Sequence, residues 1–129
     1  MSNVPADLRY TKDHEYVATT ADASVVKIGI TEYAQGELGD VVFVNLPKPG
    51  RRLAAHAAFG TIEAVKAVSE LFTPLAGEVV SVNTALDADP AVVNRDPYGA
   101  GWMIPLRVSD PAELKGLLPP ADYAKHVGG

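Results

Sequence analysis

The sequence predicts a mainly β fold, a small sandwich or barrel of short strands with a few short helices at its edge. Three features carry that expectation. Runs rich in Val, Ile and Thr recur along the chain, and turns containing Pro and Gly separate them. The segment Gly39-Asp40-Val41-Val42-Phe43-Val44-Asn45 is also echoed by Gly77-Glu78-Val79-Val80-Ser81-Val82-Asn83. The echo has two readings, β-formers shared by chance or two related halves of a quasi-symmetric fold. Two facing sheets would bury the alternate valines of each run.

Each element has its own signal. Residues 17–30 hold two β-branched runs split by Ala21-Asp22-Ala23, the pattern of a hairpin. Thr31 can cap a helix of barely two turns, which Gly39 stops. Residues 40–46 read as a strand that Pro47 and Pro49 end. Residues 53–58 are alanine-rich and ambiguous. Residues 59–65 and 68–72 form a second hairpin with Lys66 near its tip. A turn at 74–77 leads to a strand at 78–83, a long Asp-, Pro- and Gly-rich loop at 87–101 and a strand at 102–108. Asp110, Pro111 and Glu113 have the spacing of a capping box that opens a helix, and a short helix fits residues 121–126. The chain of 129 residues reads as one domain, residues 1–129, with a C-terminal helical extension from about residue 110.

Composition excludes several functions. Eleven basic residues against 16 acidic give a net charge of −5, and the basic residues are scattered, which argues against nucleic-acid binding. Without cysteine there is no disulfide, thiol nucleophile or thiolate metal site. No apolar run approaches the ~20 residues of a membrane span, and the first ten residues lack the pattern of a signal peptide. A cytoplasmic protein is the expectation.

Candidate chemistry is sparse. His14, His56 and His126 are far apart in sequence and read as ordinary surface histidines. His14-Glu15 does not extend to a zinc motif, because Ala18 stands where the second histidine would be. Nucleophile elbows and phosphate loops are absent. The stretch Gly60-Thr61-Ile62-Glu63-Ala64-Val65-Lys66-Ala67-Val68-Ser69-Glu70 differs: one lysine sits in an apolar and acidic hairpin. Burying it would be costly, so it belongs at the exposed turn. It is either a solvated lysine beside Glu63 and Glu70 or one displayed for modification.

The ordered motifs decide between these. That stretch resembles the lipoyl-lysine site of the glycine cleavage H-protein family. Tyr10-Thr11-Lys12-Asp13-His14-Glu15, Gly29-Ile30-Thr31-Glu32-Tyr33-Ala34-Gln35, Val93-Asn94-Arg95-Asp96-Pro97-Tyr98-Gly99 and Gly101-Trp102 resemble other signatures of the family, in the same order. Tyr16 departs from the family's usual tryptophan and Ala64 from its usual serine. Tyr16 should keep the aromatic packing, whereas Ala64 puts a fine partner contact in question.

The resemblance implies a barrel-sandwich hybrid and a carrier rather than an enzyme. It implies lipoate in amide linkage on Lys66, an arm reaching on the order of 14 Å. A PLP-dependent glycine decarboxylase would load the arm with an aminomethyl group. A tetrahydrofolate-dependent aminomethyltransferase would unload it, and a dihydrolipoyl dehydrogenase would reoxidise the dithiol. A lipoate ligase or lipoyl/octanoyl transferase would attach the arm. The alternative is a lipoyl donor for 2-oxoacid dehydrogenases. A biotin carrier would call for methionines beside the lysine, where Val65 and Ala67 stand. From another class, a small hydrolase with turnover of its own would lack the modification.

The resemblance also implies a cleft for the loaded arm beside His14-Glu15 and the helix after Ile30. Glu15 is expected as acceptor for the ammonium and Glu37 as a second, with Ile30 and Leu38 as the wall. The plainer reading of Glu15 is a solvated carboxylate at a strand edge.

Overall fold

The computed structural model describes residues 4–128. Its first three strands are β1 (Arg9–Tyr10), β2 (Glu15–Thr19) and β3 (Val25–Ile30), paired antiparallel in order. The β2–β3 turn closes on Asp22, whose Oδ1 accepts from the backbone N–H and the hydroxyl of Ser24. Helix α1 (Glu32–Leu38) starts where expected, because the Thr31 hydroxyl accepts from the Ala34 N–H at 3.2 Å. It ends at Gly39, whose φ of 82° suits glycine.

Then follow β4 (Val41–Asn45), β5 (Arg52–Leu53), β6 (Ala58–Ala64), β7 (Val68–Phe72) and β8 (Gly77–Val79). Helices α2 (Ala85–Ala88) and α3 (Val92–Arg95) precede β9 (Ile104–Val108). A 3-10 helix (Pro111–Gly116) and α4 (Pro120–His126) complete the described chain. One sheet has the order β1-β2-β3-β9-β8-β5 and the other β4-β6-β7, with antiparallel pairing throughout.

The two sheets share one core. Val26, Ile28, Ile104 and Leu106 of the larger sheet bury with Val44, Ile62 and Leu71 of the smaller. Full burial of a side chain such as Ile62 stabilises by about 1.5–3 kcal/mol. A second cluster joins Leu8, Tyr10 and Tyr16 to Tyr123 of α4, whose ring stacks on Tyr10 at 4.6 Å. No helix among the described residues is long and apolar enough to cross a membrane.

Several elements depart from expectation. The echoed segments lie in different sheets, and in both the first valine is buried and the second exposed: Val41 and Val42, Val79 and Val80. Strict alternation then fails in β4, because a bulge between Val41 and Phe43 leaves Val42 and Phe43 both outside. The expected strand at 78–83 stops at Val79, and the expected loop at 87–101 contains α3. Asp110 does cap the next turn, accepting from the Ala112 N–H, but that turn is a 3-10 helix. The Glu113 carboxylate accepts from the Ala76 N–H at 3.4 Å, which ties the turn to the 74–77 segment in place of a capping box.

Candidate functional site

Lys66 sits at the tip of the β6–β7 hairpin. The tip is narrow because the Ala64 N–H donates to the Ala67 carbonyl at 2.7 Å. It is fixed to the start of β4 by the Val65 N–H donating to the Asp40 carbonyl at 3.0 Å. Lys66 is exposed, and no ion pair to it occurs among the described residues. Its aliphatic stem lies back over Gly39: a β-carbon at that position would stand 3.0 Å from Lys66 Cε. Glycine at 39 therefore serves both the positive φ and the passage of the lysine stem.

Asn94 stiffens this platform. Its Oδ1 accepts from the Val41 N–H at 2.8 Å, and its Nδ2 donates to the Gly39 carbonyl and to Gln35 Oε1. One side chain of α3 thus joins the end of α1 to the start of β4. Nearby, the Tyr98 hydroxyl accepts from the Glu32 N–H at 3.0 Å and holds the first turn of α1. Sequence reading had both residues in a loop; only their polarity within the quoted motif could have marked them.

The outer face beside Lys66 is apolar. The β4-β6-β7 register aligns Phe43, Glu63 and Val68 in one row. Phe43 is 49% exposed, Val65 75% and Val68 69%. With Val42 they are four of the five large apolar side chains exposed among the described residues. Glu63 lies inside this patch and exposed Glu70 lies one row on. Ala64 is buried, so its side chain faces the body. Tyr16 keeps the aromatic packing: it is buried against Tyr98, and its hydroxyl donates to the Pro97 carbonyl at 2.6 Å.

A cleft of about 350 Å³ opens beside α1. Glu15, Ile30, Glu37 and Leu38 all line it, so the four residues expected together do meet. The cleft lies beside the His14-Glu15 segment as expected, and Asp13, Tyr33, Ile62 and Leu71, which the sequence did not single out, also line it. Glu15 is 3% exposed, which rules out the solvated strand-edge carboxylate. Burial pushes its carboxyl up to about 8, with the Asp13 charge adding to the rise; the Thr11 hydroxyl, donating to Oε1 at 2.9 Å, works the other way. Glu15 thus favours the protonated form near neutral pH.

His14 also differs from an ordinary surface histidine. It is half-buried, has a φ of 69°, and faces the rings of Tyr33, Tyr123 and His126. Burial, with His126 adding, lowers its pKa, while the negative charges of Asp13 and Glu37 work the other way. His56 and His126 are exposed, as expected. Among the described residues no group of three or more His, Asp or Glu could hold a metal ion.

Comparison with known proteins gives one answer. Residues 8–128 match the family model described as glycine cleavage H-protein. The chain is 53% identical over 126 residues to a glycine cleavage system H protein of Chlorobium limicola, covering 98% of each. It is 52% identical over 128 residues to one from Opitutus terrae, covering 99% of this chain and all of the relative. Its fold is similar to the crystal structure of a glycine cleavage system H protein from Mycobacterium marinum. The TM-score is 0.86 and the identity 39%, over 98% of this chain and 100% of that one.

Proposed function

This chain belongs to the glycine cleavage H-protein family, and from that membership we propose that Lys66 carries lipoate and that the arm rests in the Glu15 cleft between partners. The protein is a carrier component and not itself a catalyst. Lipoate in amide linkage supplies a dithiolane that takes up an aminomethyl group and is left as a dithiol. We assign the loading to a PLP-dependent glycine decarboxylase, the unloading to a tetrahydrofolate-dependent aminomethyltransferase, and the reoxidation to dihydrolipoyl dehydrogenase. Residues 1–129 act as one carrier domain, and the segment from about 110 packs back through Tyr123.

The observation that carries the reading is the path from lysine to cleft. The Lys66 stem crosses Gly39 at the end of α1, and α1 lines the cleft through Ala34, Glu37 and Leu38. Ser69 and Glu70 line it from β7, three and four residues beyond Lys66. At about 3.3 Å per strand residue, an arm on the order of 14 Å long reaches it. The residues suit the group: the lysine amine is exposed, and the chain has no cysteine to compete for the arm's sulfurs.

Each residue then has a task. Ile30 and Leu38 give the arm an apolar wall. Glu15 loses its proton when an ammonium enters, and the resulting pair replaces lost hydration with a charge-assisted bond. Glu37 is the second acceptor. Phe43, Val65 and Val68, with Glu63, form the surface on which the attaching ligase or transferase docks. The shuttle itself is tested in the reconstituted system: Lys66→Arg keeps charge and fold and should abolish carrier turnover, and retained turnover would overturn the reading. The cleft is tested by loading lipoylated protein with methylamine and following release without other proteins. Glu15→Ala should release faster than wild type with normal lipoylation; equal rates would remove Glu15 from the account.

A further inference from the structure

We propose that Tyr123 is a positioning residue of the cleft, its hydroxyl bridging His14 and Thr31 so that the C-terminal helix clamps the cleft's two walls together. This rests on the reading of the cleft as the rest site of the loaded arm. One wall is the start of β2, with Asp13, His14 and Glu15; the other is α1, with Tyr33, Glu37 and Leu38.

Neither wall rests on local bonds alone, although Thr11 and Glu15 exchange bonds within the 11–15 turn and Tyr98 and Asn94 hold the two ends of α1. Helix α1 has only seven residues, contains Gly36 and buries none of its members, so local propensity does not fix it. His14 adopts a positive φ that side chains other than glycine rarely take. Both need support from elsewhere.

Tyr123 supplies it from behind. Its hydroxyl lies 2.9 Å from His14 Nδ1 and 2.7 Å from Thr31 Oγ1. Thr31 is the residue that caps α1, and its N–H donates to the His14 carbonyl at 3.0 Å. One buried hydroxyl therefore touches the turn before β2 and the cap of α1. Tyr123 does not line the cleft, so it acts through these two residues. Its ring is anchored independently, by stacking on Tyr10 and by the Tyr10–Leu118 backbone pair. His126, from the same helix, lies 3.2 Å from the Lys12 carbonyl.

Thr31 Oγ1 accepts from the Ala34 N–H, and its hydroxyl proton is available for the 2.7 Å contact with Tyr123. With Thr31 as donor to Tyr123, the Tyr123 hydroxyl is free to donate to His14 Nδ1, the arrangement that goes with a neutral ring carrying its proton on Nε2. The charges facing His14 are Asp13 and Glu37, which favour the cation, and His126, which opposes it. Burial first, and His126 second, favour the neutral ring.

Tyr123→Phe in the full lipoylated chain removes the hydroxyl and keeps the ring. Tyr10→Phe is the control: its hydroxyl, in the same stack, donates to the Pro5 carbonyl away from the cleft. Two readouts are needed, the His14 imidazole titration by NMR and methylamine release from the loaded arm. Tyr123→Phe should raise the His14 midpoint toward the ordinary value and speed release roughly three- to ten-fold, the effect of one lost hydrogen bond. Tyr10→Phe should change neither. Equal acceleration by both variants would mean general loosening and overturn the clamp, as would an unmoved His14 midpoint in Tyr123→Phe. If Glu15→Ala changes release and Tyr123→Phe does not, the clamp fails alone. If neither changes it, the cleft reading fails and the proposal with it.

Discussion

Replacing Glu15 by glutamine tests the electrostatics of the cleft, because the two side chains share a shape and only one can ionise. In the folded protein the Glu15 carboxyl holds its proton up to about 8, against an ordinary value of 4.5. Below pH 4.5 both the folded and unfolded chains are protonated, and the contribution to stability is fully present. Between 4.5 and about 8 the unfolded chain has released the proton and the folded chain has not, so stability falls as pH rises. Above about 8 the loss is complete. At about 1.4 kcal/mol per pKa unit the ceiling is roughly 5 kcal/mol. A drop of a few kcal/mol is expected, since an opened cleft admits water to the anion. The assay is urea unfolding of wild type and Glu15→Gln at pH 4.5, 6, 7.5 and 9, followed by Trp102 fluorescence. The stability of wild type minus that of the variant should fall steadily with pH, because the other titrating groups cancel. A difference that stays constant from pH 4.5 to 9 would refute a buried, protonated Glu15.

Three further outcomes are expected. Asn94→Ala removes three hydrogen bonds at the α1–β4 junction; it should cost about 1–3 kcal/mol, read by thermal unfolding, and should slow attachment of lipoate at Lys66. Phe43→Ser should lower kcat/KM for that attachment several-fold while the unfolding midpoint stays near wild type, since Phe43 is half-exposed. Carrier affinity for partner enzymes, measured as apparent KM, should weaken as salt rises, because Glu63 and Glu70 flank the arm and the net charge is −5; a flat response would assign docking to the apolar patch alone.

Much of this fold was legible because its signals are local. Thr31 and Gly39 bracket α1 through bonds within four residues, and Asp22 closes the β2–β3 turn over two. Lys66 was legible for the same reason, as a lone cation between two β-forming runs. The bulge after Val41 was not, because it depends on how β4 meets β6 across about twenty residues. Glu113 matched a capping spacing yet bonds to Ala76, 37 residues away. Only the family resemblance brought Glu15 and Leu38 together. No periodicity reports the burial of Glu15, which requires β2, α1 and β7 to meet at one cleft. The same holds for Tyr123, whose partners His14 and Thr31 lie 109 and 92 residues back.

The central claim is that Lys66 alone bears the arm. Incubating the chain with lipoate and a lipoate ligase, then measuring intact mass and mapping peptides, tests it directly. The account predicts a single lipoyl increment on the peptide containing Lys66, lost in Lys66→Arg. An increment on Lys48, Lys115 or any other lysine with Lys66 left free would contradict it.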